Sequence, residues 1–146
     1  MKYKLYSEEY FDSPDFKAME NKTGRDKVFC LIAYTPETLE LLNILESLKD
    51  VNKCDKQGLS YLHMAAQTHK LKTIEILLRK GANPNCVDNH NRLAILAAIG
   101  IKNENNAAIL KLFLQYGLDL EYIINGITLK EMILSFGNEE YNTLIE

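Results

Sequence analysis

Three residue types in this 146-residue chain could carry reactive chemistry: the cysteines Cys30, Cys54 and Cys86, the histidines His63, His69 and His90, and a serine, Ser60, set in Gly58-Leu59-Ser60-Tyr61-Leu62. Ser60 stands as in the opening of a nucleophile elbow, where a sharp strand-to-helix turn exposes the serine oxygen. The closing glycine of that motif is missing, and the preceding Asp55-Lys56-Gln57-Gly58 reads as a turn, not a strand. Ser60 is therefore expected to cap a helix. Cys54, Cys86 and His90 fall in successive turns and could meet a surface metal, but Cys86 to His90 is a loose spacing and a structural zinc site takes four ligands. Gly24, Gly58, Gly81, Gly117 and Gly126 stand singly, so no phosphate-cradling loop is present. Glu8-Glu9 and Glu139-Glu140 are adjacent carboxylates that point apart in a helix and read as solvation. No catalytic residue, metal ligand or cofactor is assigned, and a metal-dependent enzyme is only the remote alternative.

The elements that would position these groups must come from a single core. At this length folding removes roughly 68–70% of the unfolded surface from water, enough without disulfides or metal. With 47% apolar residues the composition is that of one globular domain. The 17 basic and 20 acidic residues leave a net charge of −3, which gives nucleic acid and anionic membranes no footprint. The charge is uneven: residues 1–50 carry −3, residues 51–100 carry +4 and residues 101–146 carry −4. An odd number of widely spaced cysteines, an acidic N-terminal stretch where a secretory signal would be apolar, and no long apolar run together predict a cytoplasmic protein without a membrane span.

The chain repeats itself. From Asp55 to Asp88, a turn, two apolar runs and a second turn recur at a separation of 33. Ser60 caps a helix from Tyr61 whose slim apolar face is Leu62, Ala65 and Ala66. Leu71, Ile74, Leu77 and Leu78 form the stripe of a second helix, Arg79 and Lys80 suit its last turn, and Gly81 supplies a left-handed C′ position.

Gly58-Leu59-Ser60-Tyr61-Leu62-His63-Met64-Ala65-Ala66, followed by Ile74 to Leu78 and Gly81-Ala82-Asn83-Pro84-Asn85, resembles an ankyrin repeat, whose pattern runs G-x-T-P-L-H-x-A-A, then a helix ending L-L, then G-A-x-x-N. The departures are Ser60 for Thr, Tyr61 for Pro and His69 for Gly. Upstream, Asp50-Val51-Asn52-Lys53-Cys54-Asp55 matches the family's turn, Val28 to Ala33 is an inner helix, and Thr35-Pro36-Glu37 is expected to open an outer helix using Leu39, Leu41, Leu42 and Leu45. Downstream, Ala94 to Ile99 and Ile109 to Leu114 are helices with about three residues inserted between them, Gly100 to Asn106, and a truncated copy begins at Gly126. The resemblance implies an all-α solenoid of about 3.5–4 helix–turn–helix repeats over residues 22–54, 55–87, 88–122 and 123–146. It also implies that His63 ties neighbouring turns by hydrogen bonds to backbone. Residues 1–21 lie outside the repeats and hold five of the chain's 13 aromatics, Tyr3, Tyr6, Tyr10, Phe11 and Phe16, which predicts a cap on the first repeat; a docking segment is the alternative.

The function implied is non-enzymatic binding of another protein by the concave face and turn tips, with the free chain a monomer. In the best copy the outward positions are Lys56, Gln57, Leu59, Gln67 and Thr68; shifted by 33 they become Asn89, His90, Arg92, Gly100 and Ile101, and shifted back they include Asp26 and Tyr34. Leu59, Tyr34 and Ile101 are anchors ringed by polar groups. The opposite face carries Glu75, Lys111 and Gln115. An immunity-type inhibitor that occludes a toxin or enzyme is the alternative, since repeats and cap alone would bring no second domain to the partner.

Overall fold

In three of the four repeats a side-chain oxygen turns the chain into the inner helix, the exception being the helix that opens at Leu93. Asp26, Ser60 and Thr128 accept from the backbone N–H three residues on and begin α3 (Lys27–Tyr34), α5 (Tyr61–Gln67) and α9 (Leu129–Ser135). The computed structural model describes residues 6–146. Ahead of these helices lie α1 (Glu8–Phe11) and α2 (Pro14–Thr23). The partners of α3, α5 and α9 are α4 (Leu39–Glu46), α6 (Leu71–Arg79) and α10 (Glu139–Ile145), and α7 (Ala94–Ile99) pairs with α8 (Asn106–Gln115). Inner helices stack α3 on α5 on α7, and outer helices stack α4 on α6 on α8 on α10. The turns between repeats are hairpin-like: Cys54 bridges Ser60, Val87 bridges Leu93, and β1 (Ile123–Ile124) pairs antiparallel with β2 (Ile127–Thr128). The chain is thus an all-α solenoid with one short hairpin.

The core runs the length of the stack. Ala65, Ala66, Ala94 and Ala98 are fully buried, and their small side chains let inner helices approach closely. Ile74, Leu77, Leu78, Ile109, Leu110 and Phe113 fill the space beneath the outer helices. Gly81 and Gly117 take the left-handed conformation that ends α6 and α8. Asn52 and Asn85 then lock each end to the repeat before it: Asn52 Nδ2 donates to Gly81 O and its Oδ1 accepts from Asn83 N, while Asn85 repeats both bonds with Gly117 O and Asp119 N.

Four details differ from expectation. Helix α4 opens at Thr38, not Thr35, because Thr35 is the C-cap of α3, its N–H and its hydroxyl both donating back to Leu31 O. Glu37, read as a first-turn acid, instead accepts from Thr73 N and Thr73 Oγ1 at 2.9 and 2.8 Å, in the next repeat. Leu39 is no part of the apolar side and stands 74% exposed. The last copy has both helices. His69, where the family favours glycine, does take a left-handed φ of 55°, and its ring nitrogen Nε2 lies 2.9 Å from Ala98 O.

Tyr3 lies outside the described residues. The other N-terminal aromatics converge: Phe11 and Phe16 are buried with rings 4.9 Å apart and perpendicular, and they enclose Cys30 of α3 together with Tyr6, Tyr10, Met19 and Leu31. Helix α2 continues to Thr23, two residues past the expected boundary.

Candidate binding groove

The turn tips are built by two aspartates in register. Asp55 Oδ1 accepts from Gln57 N and Leu59 N, and Asp88 Oδ1 from His90 N and Arg92 N, all between 2.8 and 3.0 Å. Both carboxylates are buried, so each tip is held from within. Tips are zipped to one another: Lys56 N donates to Thr23 O, Asn89 N to Gln57 O, and Asn89 Nδ2 to Lys56 O. Gly58 is required there, since a Cβ would sit 2.6 Å from Asn89 Oδ1 and φ is +80°.

His63 fixes the tips to the inner helices. Its Nδ1 lies 3.2 Å from Ser60 N, which can only donate, so Nδ1 is the acceptor and Nε2 carries the proton. That Nε2–H then donates to Arg92 O in the next repeat at 2.9 Å, as the family resemblance implied. Ser60 Oγ in turn accepts from His63 N, closing a capping box. Burial holds the His63 pKa below the usual histidine range despite the bond to Arg92 O, so the ring is neutral.

Between the tips and the inner helices of the last three repeats runs a groove of about 560 Å³. Five of the ten residues expected to face a partner line it: Leu59, Gln67, His90, Arg92 and Ile101. Ile101 is 60% exposed at its lip. Sequence reasoning missed Leu96, Ala97, Ile124, Asn125 and Met132, which also line it. The repeat ruler could have found several: Met64, Ala97 and Met132 recur at 33 and 35, and Asn91 and Asn125 share a left-handed backbone 34 apart.

The other five expected residues lie elsewhere. Asp26 is used inside the fold, accepting from Phe29 N, from the Tyr61 hydroxyl and from Lys53 Nζ. Tyr34 stacks on Tyr6 with ring centroids 5.4 Å apart, and its hydroxyl accepts from Arg25 Nη1 at 2.7 Å. Lys56 donates through Nζ to Asn21 O. Gln57 and Asn89 are exposed on the tips, tied by the backbone bonds above.

The reactive side chains meet without forming a catalytic array. Cys86 Sγ lies 3.4 Å from Ser60 Oγ and 3.7 Å from His63 Nδ1. Burial pushes the Cys86 thiol up, away from the thiolate a nucleophile needs, and Nδ1 already accepts from Ser60 N. Cys30 is buried and pushed up to about 11, by burial first. Among the described residues no three of His, Cys, Asp and Glu converge as metal ligands, and no helix is long and apolar enough to cross a membrane.

The stacked helix pairs and their turn tips match a known family over most of this span: residues 29–123 fit the ankyrin-repeat model, three copies. The chain belongs to the ankyrin repeat family. It is similar to an ankyrin repeat domain-containing protein of monkeypox virus, 31% identical over 103 residues, which is 70% of this chain and 15% of that protein. It is also similar to ankyrin repeat protein 14 of vaccinia virus, 32% identical over 97 residues, 66% of this chain and 40% of that one. The chain therefore spans well under half the length of these viral relatives. Among solved structures it is similar to an ankyrin repeat domain from Acinetobacter baumannii, with TM-score 0.62 and 27% identity over 71% of this chain and 55% of that one. Ankyrin repeats are in general protein–protein interaction modules and typically non-enzymatic scaffolds.

Proposed function

We propose that this ankyrin-repeat chain binds another protein by seating part of it in the groove lined by Leu59, Arg92, Ile101, Ile124 and Met132. The observation that carries the reading is the convergence of these residues from three repeats on one apolar, accessible channel of about 560 Å³. Such a channel, floored by aliphatic side chains and rimmed by Gln67, His90 and Asn125, has the anatomy of a small interface core with a polar rim. The back face offers Glu75, Lys111 and Gln115, all exposed and polar or charged.

The test is retention of a partner from the native cell by the immobilised chain, repeated with groove and back-face variants. Ile101→Glu and Leu59→Glu should each weaken the complex about 30-fold or more, the cost of losing a central anchor. Glu75→Ala should change it by less than about fivefold. Binding that survives both groove changes and fails with back-face changes would place the interface elsewhere.

A further inference from the structure

Two arginines stand at the same register position in two repeats, Arg25 leaning on the aspartate of the next turn tip and Arg92 on that of its own, and among the described residues only Arg25 has an Nη partner. Arg25 and Arg92 are 67 positions apart, and the same offset relates Phe29 to Leu96 and Tyr34 to Ile101. Each arginine anchors its Nε on a buried aspartate, Arg25 on Asp55 at 3.1 Å and Arg92 on Asp88 at 2.7 Å. At Arg25 one arm of the fork is taken: Nη1 donates to the Tyr34 hydroxyl at 2.7 Å, and the guanidinium lies 5.0 Å over the Phe29 ring. At Arg92 the tyrosine is replaced by Ile101 and the ring by Leu96. Among the described residues nothing accepts from either Arg92 Nη nitrogen, and the side chain is 63% exposed against 24% for Arg25.

This open fork lies in the groove. Asp88 and Arg92 are the charged side chains that line it, and the Asp88 carboxylate is fully buried with both oxygens already engaged. What the groove presents to a visitor is thus a guanidinium edge with two free donors beside an aliphatic surface of Leu96, Ile101, Ile124 and Met132. A guanidinium edge matches a carboxylate, which accepts two parallel N–H bonds, better than any neutral group.

We propose that the groove is selective for an extended segment of a partner protein carrying an Asp or Glu, its carboxylate on the Arg92 Nη atoms, with a large apolar side chain within about three residues resting on Ile101 and Met132. The inference rests on the groove being the binding surface and adds the chemistry of what enters it. The basic middle of the chain, +4 over residues 51–100, favours the same sign of partner.

The experiment selects random displayed peptides on the full chain and measures the enriched ones by fluorescence polarisation. Enriched peptides should pair an acid with an apolar residue, and converting that acid to its amide should weaken binding about tenfold. Arg92→Gln should cause the same loss, and the two losses should not add. Because Arg92→Gln also touches Asp88, a second pair leaves Arg92 in place. Ile101→Tyr supplies the hydroxyl that Tyr34 gives Arg25 and should weaken acidic peptides about tenfold, while Ile101→Phe, lacking the acceptor, should not. Enrichment without acids, acidic peptides indifferent to Arg92→Gln and Ile101→Tyr, or no enrichment at all would overturn the proposal. If acid-free peptides are selected and Leu59→Glu abolishes their binding, the groove stands and its selectivity falls. If enriched peptides ignore Leu59→Glu, the groove itself is not the binding surface.

Discussion

His63 Nε2 donates to the carbonyl of Arg92 at 2.9 Å, so a ring capped in one repeat holds the turn tip of the next. The same bond ties the stability of the stack to the charge of one imidazole. Protonation would put a hydrogen on Nδ1, which faces the Ser60 N–H, and two donors would then oppose each other.

Acid should therefore loosen the stack near the ordinary histidine pKa. Burial lowers the His63 pKa in the folded chain, so the unfolded chain binds the proton more readily. The stabilisation is present above about pH 6.5 and lost as pH falls toward the folded value, by up to about 1.4 kcal/mol per pH unit within that window. Asp88 acts lower: burial raises it, but bonds from Arg92 and His90 outweigh this and hold it below the usual carboxylate range, so its contribution is lost only below about pH 4. Urea midpoints measured across pH should fall below about pH 6.5 for the native chain and stay flat there for His63→Gln.

Leu77 is fully buried between outer helices. Leu77→Ala should cost about 2–5 kcal/mol, and because repeats are held by their neighbours the loss should appear as one weakened transition over the whole chain. A change in urea midpoint worth less than about 1 kcal/mol would contradict this packing.

Helix α6 begins at Leu71 after Lys70, whose side chain makes no cap bond. Glu37 of the preceding repeat does that work, taking both the Thr73 N–H and its hydroxyl. Glu37→Ala should cost about 1–2 kcal/mol, the range for losing a helix cap, while Glu37→Gln keeps an acceptor and should cost less. Chemical denaturation of the two variants side by side checks the order.

What was legible in the sequence follows from what is local. Ser60 and Asp26 cap within three residues, Gly81 ends its helix within one, and the 33-residue spacing fixed which helix follows which. Glu37 was misplaced because Thr35-Pro36-Glu37 has every local feature of a helix start, while its real partner lies 36 residues away. Spacing sets Tyr34 at the concave position, and its stacking on Tyr6 and its bond to Arg25 have no sequence signature, though it stays 38% exposed. The groove is half legible, since Leu59, Arg92 and Ile101 follow the ruler, whereas Ile124 depends on a hairpin that departs from it.

The N-terminal segment is proposed to cap the first repeat. Phe16 is 4% exposed beside Phe11 and Cys30. Phe16→Ala should cost about 3–5 kcal/mol, and deleting residues 1–20 should lower the melting temperature sharply or cause aggregation. A truncated chain of unchanged melting temperature that no longer holds its partner would instead make the segment a docking arm.

Tyr34 and Ile101 hold equivalent positions two repeats apart, and their roles should separate by assay. Tyr34→Phe removes the acceptor for Arg25 Nη1 without disturbing the stacking on Tyr6, so it should cost about 0.5–1.5 kcal/mol of stability. Partner binding should stay within about twofold, because Tyr34 lies outside the groove. Ile101→Ala reverses the pattern: the side chain is mostly in water, so little stability is lost, but an apolar anchor at the groove lip is removed and binding should fall about tenfold or more. Thermal melts paired with titration of the partner decide it. If Tyr34→Phe weakened binding as much as Ile101→Ala while leaving the melt unchanged, the interface would extend over the first repeat and the groove would be only part of it.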